Sequence, residues 1–102
     1  MAVLKVTINN FDEVKASDKT VLIDFYADWC GPCRMVSPIV DAIAKEHPEY
    51  LICKVNVDEE GELAQAFGVM SIPTLVVMKG GKIVNKAMGA MPKSNILELL
   101  NV

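Results

Sequence analysis

The chain has 102 residues, which is enough for one domain spanning residues 1–102 and leaves no room for a second. Apolar residues make up 52% of it and charged residues 23%, a balance typical of a compact core and not of a disordered segment. The formal net charge of −3, with scattered lysines and arginines, argues against a nucleic-acid footprint or a polybasic membrane patch.

The number of cysteines and the first residues of the chain bear on the cellular compartment. Three cysteines, an odd number, do not suit the disulfide framework of a small secreted protein. Residues 1–7 lack a basic start followed by an apolar region, so we expect no signal peptide. No apolar run approaches the length that spans a membrane. We therefore expect a cytoplasmic monomer that binds neither membranes nor nucleic acid.

Strands and helices are predicted to alternate in the first half of the chain. Residues 3–8 alternate well enough for a strand, and Asn10 with Glu13 predicts a capped helix that ends near residue 16. The apolar run over residues 21–27 indicates a buried strand. A helix is then predicted from an apolar stripe at i, i+3, i+4 spacing, formed by Val36, Ile39, Val40, Ile43 and Ala44.

Two prolines shape this second helix. Pro38 falls inside the apolar stripe, so we expect a bend there and no break. Pro48 is predicted to end the helix, with His47 in its last turn.

In the second half, residues 51–57 indicate another strand, and the acidic residues from Asp58 to Glu60 suit the start of a helix. Gly68 is predicted to end that helix, whose apolar face is Leu63, Ala66 and Phe67. Two further strands, residues 74–78 and 82–87, flank a turn with two glycines and predict an antiparallel hairpin. Pro92 opens a last helix with three residues directed inward, Ile96, Leu97 and Leu100.

This order of elements predicts an α/β fold. Strands that alternate with helices pair in parallel through right-handed crossovers, whereas a short hairpin pairs antiparallel. We expect a central mixed five-stranded sheet, parallel in its N-terminal part and closed by the C-terminal hairpin, with four helices on its two faces.

The segment Trp29-Cys30-Gly31-Pro32-Cys33 lies where the second strand ends and the second helix begins. A helix start offers unpaired N–H groups and the positive end of the peptide dipole, enough to lower a thiol pKa by about one unit from ~8.5. Pro32 is tolerated in the first turn and stiffens the sulfur-to-sulfur distance. We therefore expect thiol–disulfide exchange, with Cys30 as the attacking thiolate and Cys33, one turn in, as the resolving thiol.

Three other interpretations of the cysteine pair are weaker. A purely structural disulfide that closes a loop of four residues would stabilise the fold by only about 2 kcal/mol in the chain-entropy model. A zinc site needs two more ligands, and neither Cys53 nor His47 is spaced as part of a ligand pair, so no metal is expected. Chance occurrence does not account for the position between a strand and a helix.

Those five residues, together with Asp24 and Ser71-Ile72-Pro73-Thr74, resemble the thioredoxin family. The resemblance covers essentially the whole chain and includes further matching residues, namely Phe25, Pro38, Lys54, Gly81 and Gly89. It implies the thioredoxin fold and a protein-disulfide reductase and electron carrier with a reversible Cys30–Cys33 pair. No bound cofactor is needed, because the dithiol holds the electrons. The resemblance also implies disulfide-containing proteins as substrates and a thioredoxin reductase, usually a flavoenzyme that uses NADPH, as electron donor.

Asp24 is a carboxylic acid inside an apolar strand, where burial without a partner raises the pKa. Such a group can exchange a proton with Cys33, a role that the resemblance also implies. The alternative is a structural ion pair with Lys54, the charged residue of the next predicted strand, and one group can serve both purposes. The candidate catalytic set is therefore Cys30, Cys33, Asp24 and Lys54.

Substrate binding is inferred from the resemblance. The family keeps the proline at position 73 in the cis form beside the cysteines, and the backbone of Ile72 then binds a substrate segment as an added strand. The candidate binding residues are Trp29, Gly31, Pro32, Val57, Ile72, Pro73, Gly89 and Ala90. Val57 and Ile72 are equally typical of a plain core, and Gly89 of a simple bulge.

Two residues near the cysteines depart from the family pattern. Tyr26 stands where many members carry tryptophan, and Met70 stands where a charged residue is common. Met70, Met88 and Met91 are candidates for adaptable contacts, although methionine is more often a core filler. Cys53, in the middle of a predicted strand, is expected to be buried and inert.

Two alternative functions remain at this stage. The first is a non-catalytic binding module that uses the same fold as a clamp or subunit. The second is a disulfide oxidase or isomerase, against which the missing signal peptide and the Gly-Pro spacer argue.

Overall fold

The computed structural model describes residues 3–102. Within this range five strands and four helices follow one another in the predicted order. Their bounds are β1 (Leu4–Lys5), α1 (Phe11–Lys15), β2 (Thr20–Tyr26), α2 (Gly31–Glu46), β3 (Tyr50–Asn56), α3 (Gly61–Ala66), β4 (Thr74–Lys79), β5 (Lys82–Met88) and α4 (Lys93–Leu100). None of the helices in this range combines the length and apolar character needed to cross a bilayer.

The strands form one mixed sheet with the spatial order β1-β3-β2-β4-β5. Strands β1, β3 and β2 pair in parallel, and β4 pairs antiparallel with both β2 and β5. The predicted α/β fold is confirmed in its sheet composition and in its four flanking helices.

The pairing register brings three distant segments to one end of the sheet. Tyr26 at the end of β2 pairs with Asn56 at the end of β3, because these strands are parallel. Phe25 pairs with Thr74 at the beginning of β4, because β4 runs in the opposite direction. The segments that follow β2 and β3 therefore meet the segment that precedes β4.

Alternate residues of the central strands face two separate hydrophobic layers. The layer beneath α1 and α3 contains Val6, Val14, Val21, Ile23, Phe25, Cys53, Val55, Leu63, Phe67, Val76 and Met78. The layer beneath α2 and α4 contains Leu22, Val36, Val40, Ile43, Ala44, Ile52, Leu75, Val77, Ile96 and Leu100. By the same alternation, Asp24 is directed towards the layer beneath α2 and α4.

The first strand and the first helix cap differ from the prediction. β1 is shorter than residues 3–8, because the chain turns away from the sheet soon after its second residue. The side chain of Asn10 accepts the N–H of Thr7 at 2.8 Å and donates to the carbonyl of Lys5 at 3.0 Å. It makes no capping hydrogen bond to α1, so the predicted capping pair with Glu13 is wrong.

The apolar face of α3 differs from the prediction at one residue. Ala66 is exposed, whereas Ala64 is buried together with Leu63 and Phe67. The helix is short, so periodicity does not distinguish its two alanines. Gly68 has a φ of +65° and follows the helix end, which agrees with the predicted stop.

The remaining elements agree with the prediction to within one or two residues. α2 continues through Pro38, as expected for a bend without a break. His47 lies just beyond the last turn, at the C-cap, and not inside the helix as predicted. α4 has Pro92 at its N-cap, and Leu97 is half-buried, whereas its predicted inward direction implies full burial.

Candidate redox-active site

The cysteine pair forms the first turn of α2. Cys30 is the N-cap residue, with extended backbone angles, and Pro32 lies in the first turn. The backbone N–H of Cys33 donates to Cys30 Sγ at 3.2 Å, so this sulfur receives one of the unpaired N–H groups of the helix start. Cys30 and Cys33 are joined by a disulfide, with their Cα atoms 5.3 Å apart, and both side chains are buried.

Hydrogen bonds fix the loop that leads into this turn. The N–H of Cys30 donates to the carbonyl of Ala27 at 3.2 Å. The guanidinium of Arg34, in the first turn of α2, donates to the carbonyl of Asp28 at 3.0 and 3.3 Å. The loop and the helix start therefore form one connected unit that holds Cys30 in place.

Trp29 projects into solvent beside the cysteines, with 67% of its surface exposed. Its indole N–H donates to the carboxylate of Asp58 at 2.9 Å. The side chain of Asn56, itself buried, accepts the N–H of Asp58 at 2.9 Å and orients this loop. Asp58 was not identified as a site residue from the sequence, because its contact with Trp29 joins segments about thirty residues apart.

The segment before β4 approaches the cysteines from the other side. The Ile72–Pro73 peptide bond is cis, as the family resemblance predicted. The carbonyl oxygen of Ile72 lies 3.8 Å from Cys30 Sγ. Thr74 Oγ1 donates to the carbonyl of Ser71 at 2.6 Å and fixes this turn. Within residues 3–102 the N–H of Ile72 has no hydrogen-bond partner, so it is available to another chain.

Three of the candidate binding residues, Trp29, Val57 and Ile72, share one groove of about 430 Å³. The groove is completed by Ala64, Val69, Met70 and Ser71. The structure places these three residues side by side, and Val57 and Ile72 are half-buried and pack against buried clusters.

The other candidate binding residues do not line this groove. Gly31 and Pro32 are exposed in the first turn of α2. The N–H of Gly89 donates to the carbonyl of Pro73 at 2.8 Å, which ties the end of β5 to the cis peptide. Gly89 has a φ of +93°, a backbone angle that favours glycine, and a Cβ atom there would meet no atom of the described residues within 4 Å. Ala90 lines two separate grooves of about 340 and 300 Å³.

Asp24 is buried, with 3% of its surface exposed, and its Oδ1 atom has no hydrogen-bond partner. This burial raises the pKa of Asp24 to about 7; the nearby Lys54 ammonium opposes the shift, and the Asp41 carboxylate adds to it. Asp24 and Lys54 are register partners on β2 and β3. Among the described residues, however, no ion pair joins them, and Lys54 Nζ lies 6.0 Å from the centre of the Tyr26 ring. The alternative interpretation of Asp24, a direct ion pair with Lys54, is therefore not supported within residues 3–102.

The third cysteine takes no part in this arrangement. Cys53 is fully buried in the middle of β3, and burial raises the pKa of its thiol to about 12. Its predicted burial is confirmed. Among residues 3–102, His, Cys, Asp and Glu side chains are nowhere grouped in threes as a metal site would require.

A disulfide at a helix N-cap, beside a segment with an open backbone N–H, defines a thiol–disulfide oxidoreductase. The family model for thioredoxin matches residues 2–102, and the chain belongs to the thioredoxin family. Its Cys30–Cys33 pair carries out thiol–disulfide exchange, so the chain is a protein-disulfide reductase. Family membership implies disulfide-containing proteins as substrates and partnership with a thioredoxin reductase.

Similar proteins match along nearly their whole length. Thioredoxin from Porphyra purpurea is 48% identical over 103 residues, which cover 99% of this chain and 96% of the relative. Thioredoxin from Bacillus subtilis is 44% identical over 102 residues, covering 99% and 97%. Among solved structures, a mutant thioredoxin from Halobacterium salinarum has a TM-score of 0.90 at 38% identity, covering 97% of this chain and 88% of that one.

Proposed function

We propose that Cys30 is the attacking thiolate and Cys33 the resolving thiol of a cytoplasmic protein-disulfide reductase that acts as a monomer. The observation that carries the order of attack is the hydrogen bond from the N–H of Cys33 to Cys30 Sγ at the N-cap of α2. Negative charge at a helix N-terminus is stabilised by about 0.3–1 kcal/mol, and by up to about 2 kcal/mol when it is partly buried.

The reaction proceeds in two exchange steps. The thiolate of Cys30 attacks one sulfur of a substrate disulfide, forms a mixed disulfide and releases the other substrate sulfur as a thiolate, which takes up a proton. The thiolate of Cys33 then attacks Cys30 Sγ, breaks the mixed disulfide and releases the second substrate sulfur. Two electrons pass from the dithiol to the substrate, and the Cys30–Cys33 disulfide remains.

Asp24 is proposed to accept the proton of Cys33 before the second step. Its support is a buried carboxyl on β2, whose pKa of about 7 lets it both gain and lose a proton at neutral pH. Lys54, on the neighbouring strand, is proposed to moderate this pKa through its charge and not through a direct ion pair.

The substrate segment is proposed to lie along Ile72 as an added strand. The unpaired N–H of Ile72 and its carbonyl, 3.8 Å from Cys30 Sγ, supply the main-chain contacts. The proposed rim comprises the candidate residues Trp29, Gly31, Pro32, Val57, Ile72, Pro73, Gly89 and Ala90. Main-chain recognition suits a reductase with many protein substrates.

The test is to trap the mixed disulfide. The Cys33→Ser variant should accumulate a covalent complex with a disulfide-containing protein such as insulin, because no resolving thiol remains. The Cys30→Ser variant should form no such complex and should lose reductase activity. Cys53→Ser serves as the matched control and should reduce insulin at the unchanged rate, because Cys53 is sealed in the core. A complex that forms through Cys33 in the Cys30→Ser variant would reverse the assignment.

A further inference from the structure

Lys86 on β5 binds the C-terminal end of α3. Its ammonium nitrogen donates to the carbonyl of Phe67 at 2.9 Å and to that of Gly68 at 3.4 Å. Phe67 is the C-cap of α3, and the last carbonyls of a helix lack partners within it and carry the negative end of its dipole. Among residues 3–102 no backbone N–H donates to either carbonyl. The lysine therefore supplies hydrogen bonds and a favourable charge at this point.

The position of Lys86 on the strand directs it to α3. Its register partner on β4, Val76, belongs to the hydrophobic layer beneath α1 and α3, and paired residues project to the same face of a sheet. Within the described residues its ammonium forms no ion pair with a carboxylate. Lys82, on the same strand, is exposed beside the hairpin turn instead. The charge of Lys86 thus acts on the end of α3.

Residues 69–73 connect α3 to β4 and belong to no helix or strand, so their position depends on contacts at their two ends. At the far end, the N–H of Gly89, which follows β5, ties the segment to the sheet. At the near end, the N–H of Val69 donates to the carbonyl of Ala64 at 2.9 Å, within the same helix and loop. The hydrogen bonds of Lys86 connect this near end to β5.

The proposed substrate contact lies between these two ends. Ile72 is four residues after Gly68, and its carbonyl oxygen lies 3.8 Å from Cys30 Sγ. A segment this short passes a shift of its first residues on to Ile72. A misplacement of about 1 Å in a reacting complex can lower the rate by about 100-fold. Lys86 therefore influences the reaction without contact with either sulfur.

From these contacts we infer that Lys86 is a positioning residue for the reduction of protein disulfides. By holding the end of α3 to β5, it keeps the backbone of Ile72 where a substrate segment can bind beside Cys30. The inference rests on the proposed function, since it assumes that the substrate lies along Ile72. It adds a residue on the edge strand of the sheet to the set that determines substrate binding.

The test compares Lys86→Met with the parent on a neutral, extended peptide dimer linked by a disulfide. Methionine has a similar length but cannot donate to the carbonyls of Phe67 and Gly68. We expect the KM of Lys86→Met for this peptide to rise about tenfold, with kcat within about twofold of the parent value, because the loss affects binding of the segment. Lys86→Arg retains the charge and the donors and should restore most of the parent KM.

Lys82→Met is the matched control, because it removes the same charge from the same strand at an exposed position. It should leave the KM for the peptide unchanged. Equal effects of Lys86→Met and Lys82→Met, or an arginine variant as impaired as the methionine variant, would overturn the inference.

Hydrogen exchange measures the same effect without catalysis. In Lys86→Met the amide of Val69 should exchange faster than in the parent, because the end of α3 is no longer held to β5. The amide of Ile23, in the central strand β2, should exchange at the parent rate and so report an intact fold. Unchanged exchange at Val69 would overturn the inference.

Cystamine separates this inference from the proposed function. This small disulfide has no peptide backbone to bind along Ile72, so the parent and all three variants should reduce it at similar rates. A loss of cystamine reduction in Lys86→Met equal to its loss with the peptide would overturn the positioning role. Failure of the parent to reduce cystamine would overturn the proposed function itself.

Discussion

The environment of Asp24 is unfavourable for a charged carboxyl group. Its carboxyl lies among apolar side chains of β2, one of its oxygens has no partner, and no ion pair compensates its charge among the described residues. A buried carboxylate of this kind costs stability, since the charged form loses its hydration. Perturbed groups cluster at functional sites, which favours the proton-transfer role proposed for Asp24.

The first prediction concerns stability. The folded-state pKa of Asp24, about 7, is above its ordinary value of 3.8, so the folded protein binds this proton more tightly than the unfolded chain does. Stability should therefore fall as the pH rises from about 4 to about 7. Asp24→Asn carries no charge and should be more stable than the parent by roughly 4 kcal/mol at pH 8, and nearly equal at pH 4. Urea unfolding of the oxidised proteins measures this, and a pH-independent difference would contradict it.

The same substitution should slow catalysis while it stabilises the fold. Without a proton acceptor, Cys33 ionises less readily near neutral pH, so reduction of insulin by Asp24→Asn should be slower than by the parent between pH 6 and 8. Asp18→Asn, at an exposed turn, is the control and should not alter the pH profile. Identical rates for Asp24→Asn and the parent across pH 6–9 would exclude the proposed role.

At the scale of the elements, the β4–β5 hairpin shows how one turn is docked onto a helix. Gly80 and Gly81 both have positive φ, of +61° and +77°, as a two-residue hairpin turn requires. A Cβ atom on Gly81 would lie 3.2 Å from the carbonyl oxygen of Lys15 in α1, whereas one on Gly80 would meet nothing within 4 Å. Glycine is therefore required at position 81 both by the backbone angle and by the close contact with α1.

Alanine substitutions separate these two requirements. Gly80→Ala should cost about 1 kcal/mol of unfolding free energy through its backbone angle alone. Gly81→Ala should cost more, about 2 kcal/mol, because the hairpin must also move away from α1. Gly61→Ala, at the start of α3 with open space around it, should be neutral or stabilising by about 0.5 kcal/mol. Chemical denaturation measures the free energy of unfolding of the three variants. Equal losses for Gly80→Ala and Gly81→Ala would contradict a contribution from the contact with α1.

Elements whose pattern is local were predictable from the sequence. The stripe on α2 and the apolar runs of β2 and β3 depend on nearest neighbours along the chain, and each was predicted to within one or two residues. Asn10 was misassigned, because its side-chain oxygen accepts the N–H of Thr7, which precedes it, and not an N–H of α1. Nearby backbone groups of this kind compete for such a side chain. The ends of short elements, such as α3, depend on tertiary packing that periodicity does not contain.

The site was predictable only in part. Cys30 and Cys33 follow from their spacing and position, and Ile72 from the family resemblance. The hydrogen bond from Trp29 to Asp58 and the missing ion pair between Asp24 and Lys54 depend on how separate strands are placed. No pattern in a single sequence encodes such distances.

At the scale of the whole molecule, labelling of the buried Cys53 thiol reports global unfolding. In a variant with Cys30→Ser and Cys33→Ser, Cys53 is the remaining thiol. It is fully buried and its pKa is about 12, so it should react with iodoacetamide only when the core unfolds. The labelling rate at pH 8 should rise with urea in parallel with global unfolding. Rapid labelling of the folded variant would show that the core opens locally.

Reduced parent protein provides the comparison for this measurement. Cys30 lies at the helix N-cap and is proposed to be a thiolate near neutral pH, so its labelling should be fast and should depend little on low concentrations of urea. With the same reagent, the parent would then report the reactivity of Cys30 and the variant the integrity of the core.

The antiparallel pairing of β4 has a practical consequence for handling the protein. Met78 pairs with Val21 near the beginning of β2, so the β4–β5 turn lies at the opposite end of the sheet from Cys30. The two lysines that flank this turn, Lys79 and Lys82, are exposed. Immobilisation on a bead or an electrode through these amines would leave the dithiol facing the solution.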